Sequence, residues 1–404
     1  MNNKFKIELL SPAGDVNRGK IALNFGADAI YFGAKMYSLR ARASNFDLEN
    51  IEEIINYAHA NNKKVYIVTN ILCHNGHIKN FEPFIKKILA FKPDGFICAD
   101  PFIISKIREL DQNVEIHIST QQSTTNSKAA AFWKRNGSSR IVLAREVTYN
   151  EMKQMVSSCN DINMDIEYFI HGAVCIGYSG RCMLSDNYCL RNANFGGCAQ
   201  SCRWIYTLFD QDKVYSDHFS MSAKDMCQLP NLKEILELGI KSLKIEGRMK
   251  TEHYIATVNQ VYSNAINEIY DHGSLSSEKL NEYTNELEKI ANRETDIAWF
   301  NGKPSYKAML SSEAQKQVSQ IFVFVINKKI SNNTYEIISR NFFKITDSFE
   351  IISPKRPIKH AKIIKILDKD NNSISIVNKP MCKYIVTFDT ENDFMPNDLV
   401  RIVK

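Results

Sequence analysis

The sequence predicts an α/β fold, a TIM-like (β/α)8 barrel followed by a small all-β barrel domain. Eight apolar runs alternate with helical segments between residues 7 and 247, which indicates parallel strands buried on both faces. Eight such units favour a closed barrel, and a doubly wound open sheet is the alternative. From about Val318 the runs shorten and are separated by Asn, Asp and Pro turns, which indicates an all-β domain.

The barrel elements follow one another along the chain. The predicted strands occupy residues 7–14, 27–34, 63–72, 94–100, 114–120, 139–146, 164–174 and 240–247. The predicted helices occupy residues 15–26, 45–62, 81–92, 101–110, 126–137, 149–159 and 231–239. Asp15 is a suitable helix cap and Gly26 a suitable stop, and Pro101 suits a first helical turn. No G-x-G-x-x-G follows the first strand in the sequence, so dinucleotide binding of the Rossmann type has no support.

The domain boundaries follow from the change of pattern. We assign residues 1–275 to the barrel, with an amphipathic helix over 251–272, residues 276–317 to a helical linker, and residues 318–404 to the β domain. That last segment holds fourteen Lys or Arg and nine Asp or Glu, and so carries +5 of the chain's net charge of +6. A basic small barrel suits phosphate contacts with RNA, and it equally suits a solubilising surface.

The composition is that of an ordinary globular protein. The chain has 404 residues, of which 44% are hydrophobic and 24% are charged. Its start lacks the apolar core of a secretory signal, and the sequence has no apolar run long enough to cross a bilayer. We therefore expect a cytoplasmic protein without a membrane segment. Ten cysteines in that setting favour metal binding or redox chemistry over disulfides.

The cysteines are concentrated in residues 167–204, EYFIHGAVCIGYSGRCMLSDNYCLRNANFGGCAQSCRW. Five lie there and a sixth follows shortly after: Cys175, Cys182, Cys189, Cys198, Cys202 and Cys227. The stretch is too rich in Gly, Ser and Asn to bury a core, so its thiols need a chemical reason. Disulfides suit small secreted domains, which leaves a structural zinc or an iron–sulfur cluster. The spacing alone does not separate these two.

Polar side chains follow nearly every predicted strand, at the end where barrel enzymes have their active sites. We expect four of them to be catalytic, the histidines by moving protons and the glutamates by orienting cations: His117, His171, Glu146 and Glu246. We expect five more to bind substrate: Glu8, Asn70, Arg145, Lys244 and Arg248. The three cations would hold a dicarboxylate or an RNA phosphate through charge-assisted hydrogen bonds. Internal ion pairing of Glu246 with Arg145 or Arg248 is the structural alternative.

Several motifs resemble those of the collagenase-like peptidases of family U32. The longest is EYFIHGAVCIGYSGRCMLS, residues 167–185. The others are ELLSPAGD (8–15), GADAIYFGAKMYSLRARASNF (26–46), IHISTQQSTTN (116–126), VLAREVT (142–148) and SLKIEGRMK (242–250). The resemblance covers at least residues 7–270. Within the family it is closest to the tRNA hydroxylation proteins, and ubiquinone-hydroxylation proteins form a second similar branch.

The resemblance implies a cofactor and its ligands. It implies a [4Fe-4S] cluster on Cys175, Cys182, Cys198 and Cys227. The first three lie in the family-like signature, and KDMC, which contains the fourth, resembles a family segment that returns to the same site. Cys202 is the rival fourth ligand, and Cys189 resembles a local addition. The resemblance also implies 5-hydroxyuridine formation in tRNA with prephenate as a small carboxylate co-substrate, and a paralogous family subunit as a further partner.

Three functions are therefore compared. They are an iron–sulfur tRNA-modification enzyme, a peptidase acting on collagen-like chains, and a non-enzymatic RNA-binding or scaffold protein with a structural metal. The sequence contains neither H-E-x-x-H nor G-x-S-x-G, so proteolysis rests on the family name rather than on residues. Cysteines that ligate a metal are also lost as nucleophiles. We therefore expect the tRNA-modification enzyme.

Overall fold

The computed structural model describes residues 6–34, 36–39, 46–310, 320–391 and 393–402. Its larger part is a closed barrel of eight parallel strands, which confirms the predicted fold class. In order around the barrel the strands are β1 (Glu8–Pro12), β2 (Ala29–Gly33), β3 (Lys64–Thr69), β4 (Gly95–Cys98), β5 (Glu115–Ile118), β6 (Arg140–Val142), β7 (Asp165–Gly172) and β12 (Ser242–Ile245). β12 pairs with both β1 and β7, and this closes the barrel.

Helices cover the outside of the barrel. They are α1 (Val16–Asn24), α2 (Leu48–Ala60), α3 (Asn75–Ala90), α4 (Pro101–Leu110), α5 (Ser127–Arg135), α6 (Tyr149–Asn160), α8 (Leu232–Glu237) and α9 (Glu252–His272). Asp15 caps α1 as predicted, because its carboxylate accepts a hydrogen bond from the backbone N–H of Arg18. α3 begins at Asn75, earlier than predicted, where the backbone N–H of His74 donates to Nδ1 of His77 (2.9 Å). Within the described ranges, no helix is long and apolar enough to cross a membrane.

Along each barrel strand, side chains alternate between the face that packs on the helices and the face that points into the barrel. Leu9 and Ile30 pack with the helices, whereas Leu10, Tyr31 and Tyr66 form a separate buried cluster inside the barrel. Further inside, charged and polar side chains form what we call the polar column: Glu8, Tyr66, Glu115, His117, Arg140, Glu167 and Lys244. The barrel interior is therefore partly apolar and partly ionic.

A long insertion separates β7 from β12. It begins with the segment that we call the cysteine segment, residues 173–205, which contains the short helix α7 (Leu184–Cys189). A two-stranded antiparallel hairpin, β8 (Tyr206–Asp210) and β9 (Lys213–Phe219), follows, and then β10 (Ser222–Ala223) and β11 (Asp225–Cys227). β11 pairs antiparallel with β7, which puts Cys227 opposite His171.

The segment predicted as a helical linker is packed onto the barrel. It comprises α10 (Ser277–Ile290), β13 (Thr295–Asp296) and β14 (Met309–Leu310). α10 packs against α9, β13 pairs with β11, and β14 pairs with β10. The last part of the predicted linker, residues 311–317, lies outside the described residues.

The C-terminal domain is an antiparallel half-barrel, as the short β runs predicted. Its strands are β15 (Ile321–Lys329), β16 (Thr334–Ser339), β17 (Phe343–Lys344), β18 (Phe349–Ile352), β19 (Lys359–Ala361), β20 (Ile363–Leu367), β21 (Ser373–Ile374), β22 (Ile376–Val377), β23 (Lys383–Phe388) and β24 (Leu399–Ile402). Eight of them form one sheet in the order β19-β18-β24-β15-β16-β23-β20-β21. Phe324, Phe343 and Phe349 pack together in its own core.

A buried arginine joins the two domains. Arg401 on β24 is 0% exposed and donates to Glu350 on β18 (2.7 Å) and to Glu286 on α10 (2.9 Å). His253 on α9 lies beside it, 3.5 Å from the Arg401 guanidinium. Burial, helped by the Arg401 charge, lowers the pKa of His253 to about 3. His253 is therefore neutral at this interface, and Arg401 bears the charge.

Replacement of Arg401 tests this interface. We expect Arg401→Ala to lower the free energy of unfolding by about 3 kcal/mol, because Glu286 and Glu350 lose their buried partner and keep only the partly exposed Lys289. Lys383→Ala is the matched control, since Lys383 pairs with Glu336 (3.1 Å) while its own side chain is 64% exposed. That control should change the free energy by less than about 1 kcal/mol. Equal losses for the two variants in denaturant titrations would contradict the assignment.

Candidate functional site

A cavity of about 480 Å³ lies at the carboxyl ends of the barrel strands, where the fold predicts a site. Its wall is formed by the strand ends on one side and by the cysteine segment on the other. Five of the predicted residues line it: Asn70, Arg145, Lys244, Glu246 and Arg248. Three of the predicted cysteines line it as well: Cys175, Cys182 and Cys198. The structure therefore brings most of the predicted binding groups to one place.

The cavity wall is strongly cationic. Seven cationic side chains line it: Arg145, Arg191, Arg203, Lys244, Arg248, Lys250 and Arg293. Among the described lining residues, Glu246 is the sole carboxylate. Such a wall favours an anionic occupant.

Arg145 and Glu246 form one side of this wall. The Arg145 guanidinium lies over the Phe169 ring, 4.1 Å from its centroid, and is 3.9 Å from Oε2 of Glu246. The same carboxylate oxygen is 3.5 Å from the Tyr31 hydroxyl. Glu246 therefore orients Arg145. The two side chains also form the internal ion pair that the sequence analysis gave as the alternative to substrate binding.

Lys244 forms the floor of the cavity. Its Nζ lies 4.3 Å from the centroid of the Tyr31 ring and donates to Oε1 of Glu167 at 2.5 Å. Burial lowers the pKa of Lys244, although the Glu167 carboxylate opposes this shift. Lys244 thus connects the polar column to the cavity.

Arg248 is tied to the β2–α2 connection. It is 7% exposed and donates a hydrogen bond to the carbonyl of Leu39. The side chain of Asn70 accepts from the backbone N–H of Leu39 (3.1 Å) and donates to Oγ of Ser119 (3.3 Å). These contacts fix Arg248 and Asn70 in the part of the wall that contains Leu39. Residues 40–45 of the GADAIYFGAKMYSLRARASNF motif lie outside the described residues.

Cys202, rather than Cys227, joins the three predicted thiols at the cavity. Burial raises the pKa of Cys202, and the charges of the other three cavity thiols raise it further, against the lowering effect of Arg203. Cys227 instead lies on β11, where its Sγ is 3.7 Å from the Tyr262 hydroxyl. Cys227, predicted as the fourth ligand, is not among the described residues that line the cavity, whereas Cys202, its rival in the sequence, is.

A tight turn fixes the start of the cysteine segment. Ser179 has a φ of 42°, and its backbone N–H donates to Oε1 of Glu146 (2.6 Å), as its hydroxyl does to Oε2. Gly180 follows with a φ of 86°, and a Cβ there would lie 2.5 Å from the amide of Gln121. Glu146 therefore positions the turn at Ser179, and it is not among the described residues that line the cavity.

Two more predicted residues lie too deep in the barrel. Glu8 is the first residue of β1, and its carboxylate accepts hydrogen bonds from Tyr66 and Arg140, both at 2.6 Å. His117 precedes the end of β5, is 0% exposed and contacts Glu115 at 2.9 Å. Burial lowers the pKa of His117, and Arg140 lowers it further. Both residues belong to the polar column rather than to the mouth, because Glu8 begins its strand and His117 is a buried residue within its strand.

His171 faces away from the cavity because of a β-bulge. The pairing of β7 with β12 shifts register between Lys244 and Ile245, which leaves Ile170 as an extra residue on β7. His171 consequently lies beside Ile245, and its ring packs against Tyr254 and Tyr262 of α9. Burial, with a smaller effect of Lys250, lowers the pKa of His171 to about 4.

Four cationic wall residues were not among the predicted site residues: Arg191, Arg203, Lys250 and Arg293. Arg191 and Arg203 belong to the cysteine segment, where the thiols dominated the interpretation. Arg293 comes from the predicted linker and is held by Asp225, at 2.6 Å from Nη2 and 2.7 Å from Nε. The sequence signal for Arg203 was its position directly after Cys202; no local signal identifies Arg293.

Comparison with known proteins relates this architecture to a family. The family model "Peptidase family U32" matches residues 14–310, and the model "Peptidase family U32 C-terminal domain" matches residues 319–401. A protein of Bacillus subtilis named "tRNA hydroxylation protein P1" is 40% identical over 98% of this chain and 94% of its own length. These matches extend over both domains.

Two further relatives carry different names. The "23S rRNA 5-hydroxycytidine C2501 synthase" of Escherichia coli is 35% identical over 66% of this chain and 40% of its own length. The "Collagenase" of Porphyromonas gingivalis is 30% identical over 71% of each chain. The resemblance found in the sequence motifs is therefore confirmed at the level of the family.

Replacement of Glu146 tests how the turn is held. We expect Glu146→Ala to speed amide hydrogen exchange by about 5- to 150-fold at Ser179 and its neighbours, because the turn loses hydrogen bonds to a charged group, each of about 1–3 kcal/mol. Glu151→Ala is the matched control, since Glu151 accepts from the exposed start of α6 (2.9 Å to the N–H of Thr148). The control should leave the turn unchanged. Unchanged exchange in Glu146→Ala would contradict the positioning role.

Proposed function

The chain belongs to peptidase family U32, and from that premise we propose that it is an iron–sulfur enzyme that hydroxylates RNA, forming 5-hydroxyuridine in tRNA. One observation carries the proposal: four thiols and seven cations line the same cavity at the mouth of the barrel. The names of the relatives from Bacillus subtilis and Escherichia coli support RNA as the substrate class.

The cysteine thiols fit an iron–sulfur cluster by donor type. Thiolate ligands from a loop are characteristic of such clusters. Over the described part of the chain, no three His, Cys, Asp or Glu side chains are grouped closely enough for a single metal ion. The preference for an iron–sulfur cluster over zinc, which thiolates also bind, therefore rests on the family resemblance.

Cys175, Cys182 and Cys198 would hold the cluster together with Cys202, which is favoured over Cys227 by its position on the cavity. When bound, the cluster supplies redox chemistry beside the substrate. The chain's own contribution is to bind and orient. Arg145 lies near enough to Cys175 to lower the pKa of that thiol, against the larger effect of burial, which raises it.

The cations of the wall are suited to a small carboxylate co-substrate. Arg145, Lys244 and Arg248 lie on different parts of the wall, and an anion with two carboxylates can contact more than one of them. Prephenate is the dicarboxylate that the family resemblance implies. Glu246 would hold Arg145 in place, and Lys244 would present a proton at Nζ from the cavity floor.

The tRNA itself would contact a larger surface than the cavity. The C-terminal half-barrel supplies net positive charge, with fourteen Lys or Arg against nine Asp or Glu over residues 318–404. Phosphate contacts of this kind add affinity without sequence preference, and they weaken as salt rises. We assign the half-barrel to phosphate binding on that ground.

A peptidase is not favoured by the geometry. None of the described residues that line the cavity is a histidine, so no thiol or hydroxyl of the wall has an imidazole base beside it there. His171 and Cys227 lie opposite each other on paired strands, but His171 is packed against α9. The described cavity lining therefore lacks the nucleophile–histidine pair that the name peptidase would lead one to expect.

Complementation of a deletion strain tests the reaction. We expect the deletion to lose 5-hydroxyuridine from total tRNA nucleosides and the wild-type gene to restore it. Arg248→Ala should lower the formation of that nucleoside by about 10- to 150-fold, because a charge-assisted hydrogen bond of about 1.5–3 kcal/mol to the anion is lost. Arg135→Ala is the control, since Arg135 is exposed at the end of α5.

Two outcomes would contradict the proposal. Normal 5-hydroxyuridine in the deletion strain would refute the tRNA reaction. Normal levels in Arg248→Ala would refute its role at the anion site. Iron content and the unfolding transition are measured on each purified variant, so that loss of the protein is not mistaken for loss of the reaction.

Paired cysteine variants test the ligands. We expect Cys202→Ala to lose most of its iron and sulfide after anaerobic purification, and Cys227→Ala to keep both, because Cys202 faces the cavity. Cys382→Ala is the control, since Cys382 lies in the C-terminal half-barrel. If Cys202→Ala keeps its iron and sulfide and Cys227→Ala loses them, the fourth ligand is Cys227, as the family resemblance implied. Zinc in place of iron would refute the cluster.

A further inference from the structure

Three aromatic side chains form a group at the edge of the cysteine segment, which we call the aromatic triad: Tyr188, Trp204 and Tyr206. The ring centroids of Tyr188 and Tyr206 are 5.8 Å apart, and each is 6.5 Å from the centroid of Trp204. None of the three belongs to a buried core cluster. The triad is thus a surface feature.

Two rings of the triad are more exposed than large aromatic side chains usually are. Tyr188 is 58% exposed and Trp204 is 42% exposed. Tyr206 is half-buried beside them, and a contiguous group of exposed aromatic rings is a candidate binding site. The triad therefore needs a partner that covers flat ring faces.

The backbone holds the triad beside the cavity. Tyr206 donates from its hydroxyl to the carbonyl of Ser201 (2.7 Å), and Trp204 donates from its backbone N–H to the same carbonyl at 3.1 Å. Ser201 and the two residues that follow it line the cavity. The rings are therefore fixed to the turn that forms the rim.

Two arginines lie close to the triad in the sequence. Arg203, next to Trp204 in the chain, and Arg191, which follows α7, both line the cavity. Flat aromatic faces beside arginines are what proteins use to hold unstacked nucleotides: the rings stack on bases and the guanidinium groups bind phosphates. A protein partner would not need the seven cations of the adjoining wall.

We propose that the aromatic triad is a stacking platform for an unpaired nucleobase of the RNA substrate, next to the base that enters the cavity. This inference rests on the proposed RNA hydroxylation. A base reaches a deep site only after it leaves its own stack. The neighbouring base loses a stacking partner at the same time, and the Tyr188 and Trp204 rings replace that partner outside the cavity.

Tryptophan fluorescence tests the platform directly. The chain has three tryptophans, and Trp204 is 42% exposed whereas Trp133 is 8% exposed. Titration of the purified protein with unmodified tRNA transcript should quench the emission. In Trp204→Phe most of the quenching should disappear while affinity, measured by filter binding, stays near the wild-type value, because phenylalanine still stacks.

Truncation should reduce affinity. We expect Trp204→Ala to raise the dissociation constant for the transcript by about 5- to 150-fold, the range for loss of one stacked base. The slope of affinity against salt should stay the same, because no phosphate contact is removed. Arg203→Ala should instead flatten that slope by about one unit. Phe209→Ala is the matched control, since Phe209 is 65% exposed on the β8–β9 hairpin outside the triad.

The outcomes separate the platform from the reaction. Wild-type affinity of Trp204→Ala would overturn the platform, even where the deletion strain lacks 5-hydroxyuridine. Quenching and stacking-dependent affinity in a protein whose deletion leaves 5-hydroxyuridine normal would support the platform while refuting the proposed reaction. A third outcome would also overturn the proposal. Trp204→Ala and Phe209→Ala would both weaken self-association, or binding to a second family chain, and neither would change RNA affinity. That result would show that the surface binds a protein.

Discussion

One buried network of charges joins the strands that close the barrel. Arg140 on β6 contacts Glu8 on β1 (2.6 Å) and Glu167 on β7 (3.1 Å), and Glu167 in turn accepts from Lys244 on β12 (2.5 Å). Arg140 is 1% exposed and Glu167 is 0% exposed, so loss of either would leave an uncompensated charge, at a cost of about 3–5 kcal/mol. Because Lys244 is also the floor of the cavity, the closure of the barrel and the position of that floor depend on the same contacts.

The cysteine segment depends on the barrel in a similar way. The carboxylate of Glu146 holds the turn at Ser179, and Gln121 leaves room there only for a glycine at position 180. At the other end, a Cβ on Gly172 would lie 2.4 Å from the carbonyl of Glu246. Residues of the H-G, S-G-R-C and A-R-E motifs therefore act together to hold the cysteine segment against the strand ends. Glu146 looks catalytic in the sequence because it is polar, and in the structure its carboxylate holds the turn at Ser179.

The fold was predictable because its signal is local and repeated. Each barrel strand is an apolar run with a helix after it, and all eight runs became strands. The orientation of single side chains was less predictable. His171 follows Phe169 at a spacing that should put both on one face, but the bulge at Ile170 turns the histidine towards α9. Arg293 reaches the cavity through β13 and its pair with Asp225, a contact between segments far apart in the chain. Strand registers and distant pairings of this kind leave no periodic mark in a sequence.

The charges of the cavity wall explain why thiols and an anion belong together in the proposed site. The seven cations of the wall repel one another, and only one described carboxylate lines the same cavity. The ion pairs of Arg293 with Asp225 and of Lys244 with Glu167 stabilise two of these cations in place. Burial raises the pKa of Cys175 and of Cys202, so these thiols keep their protons until a metal displaces them. In the proposed enzyme, deprotonation on metal loading would bring negative charge to the wall and would offset part of its cationic excess. The remaining excess would favour an anionic co-substrate. Cluster loading and anion binding would then depend on one electrostatic arrangement, to which the polar column contributes through the ion pair of Glu167 with Lys244.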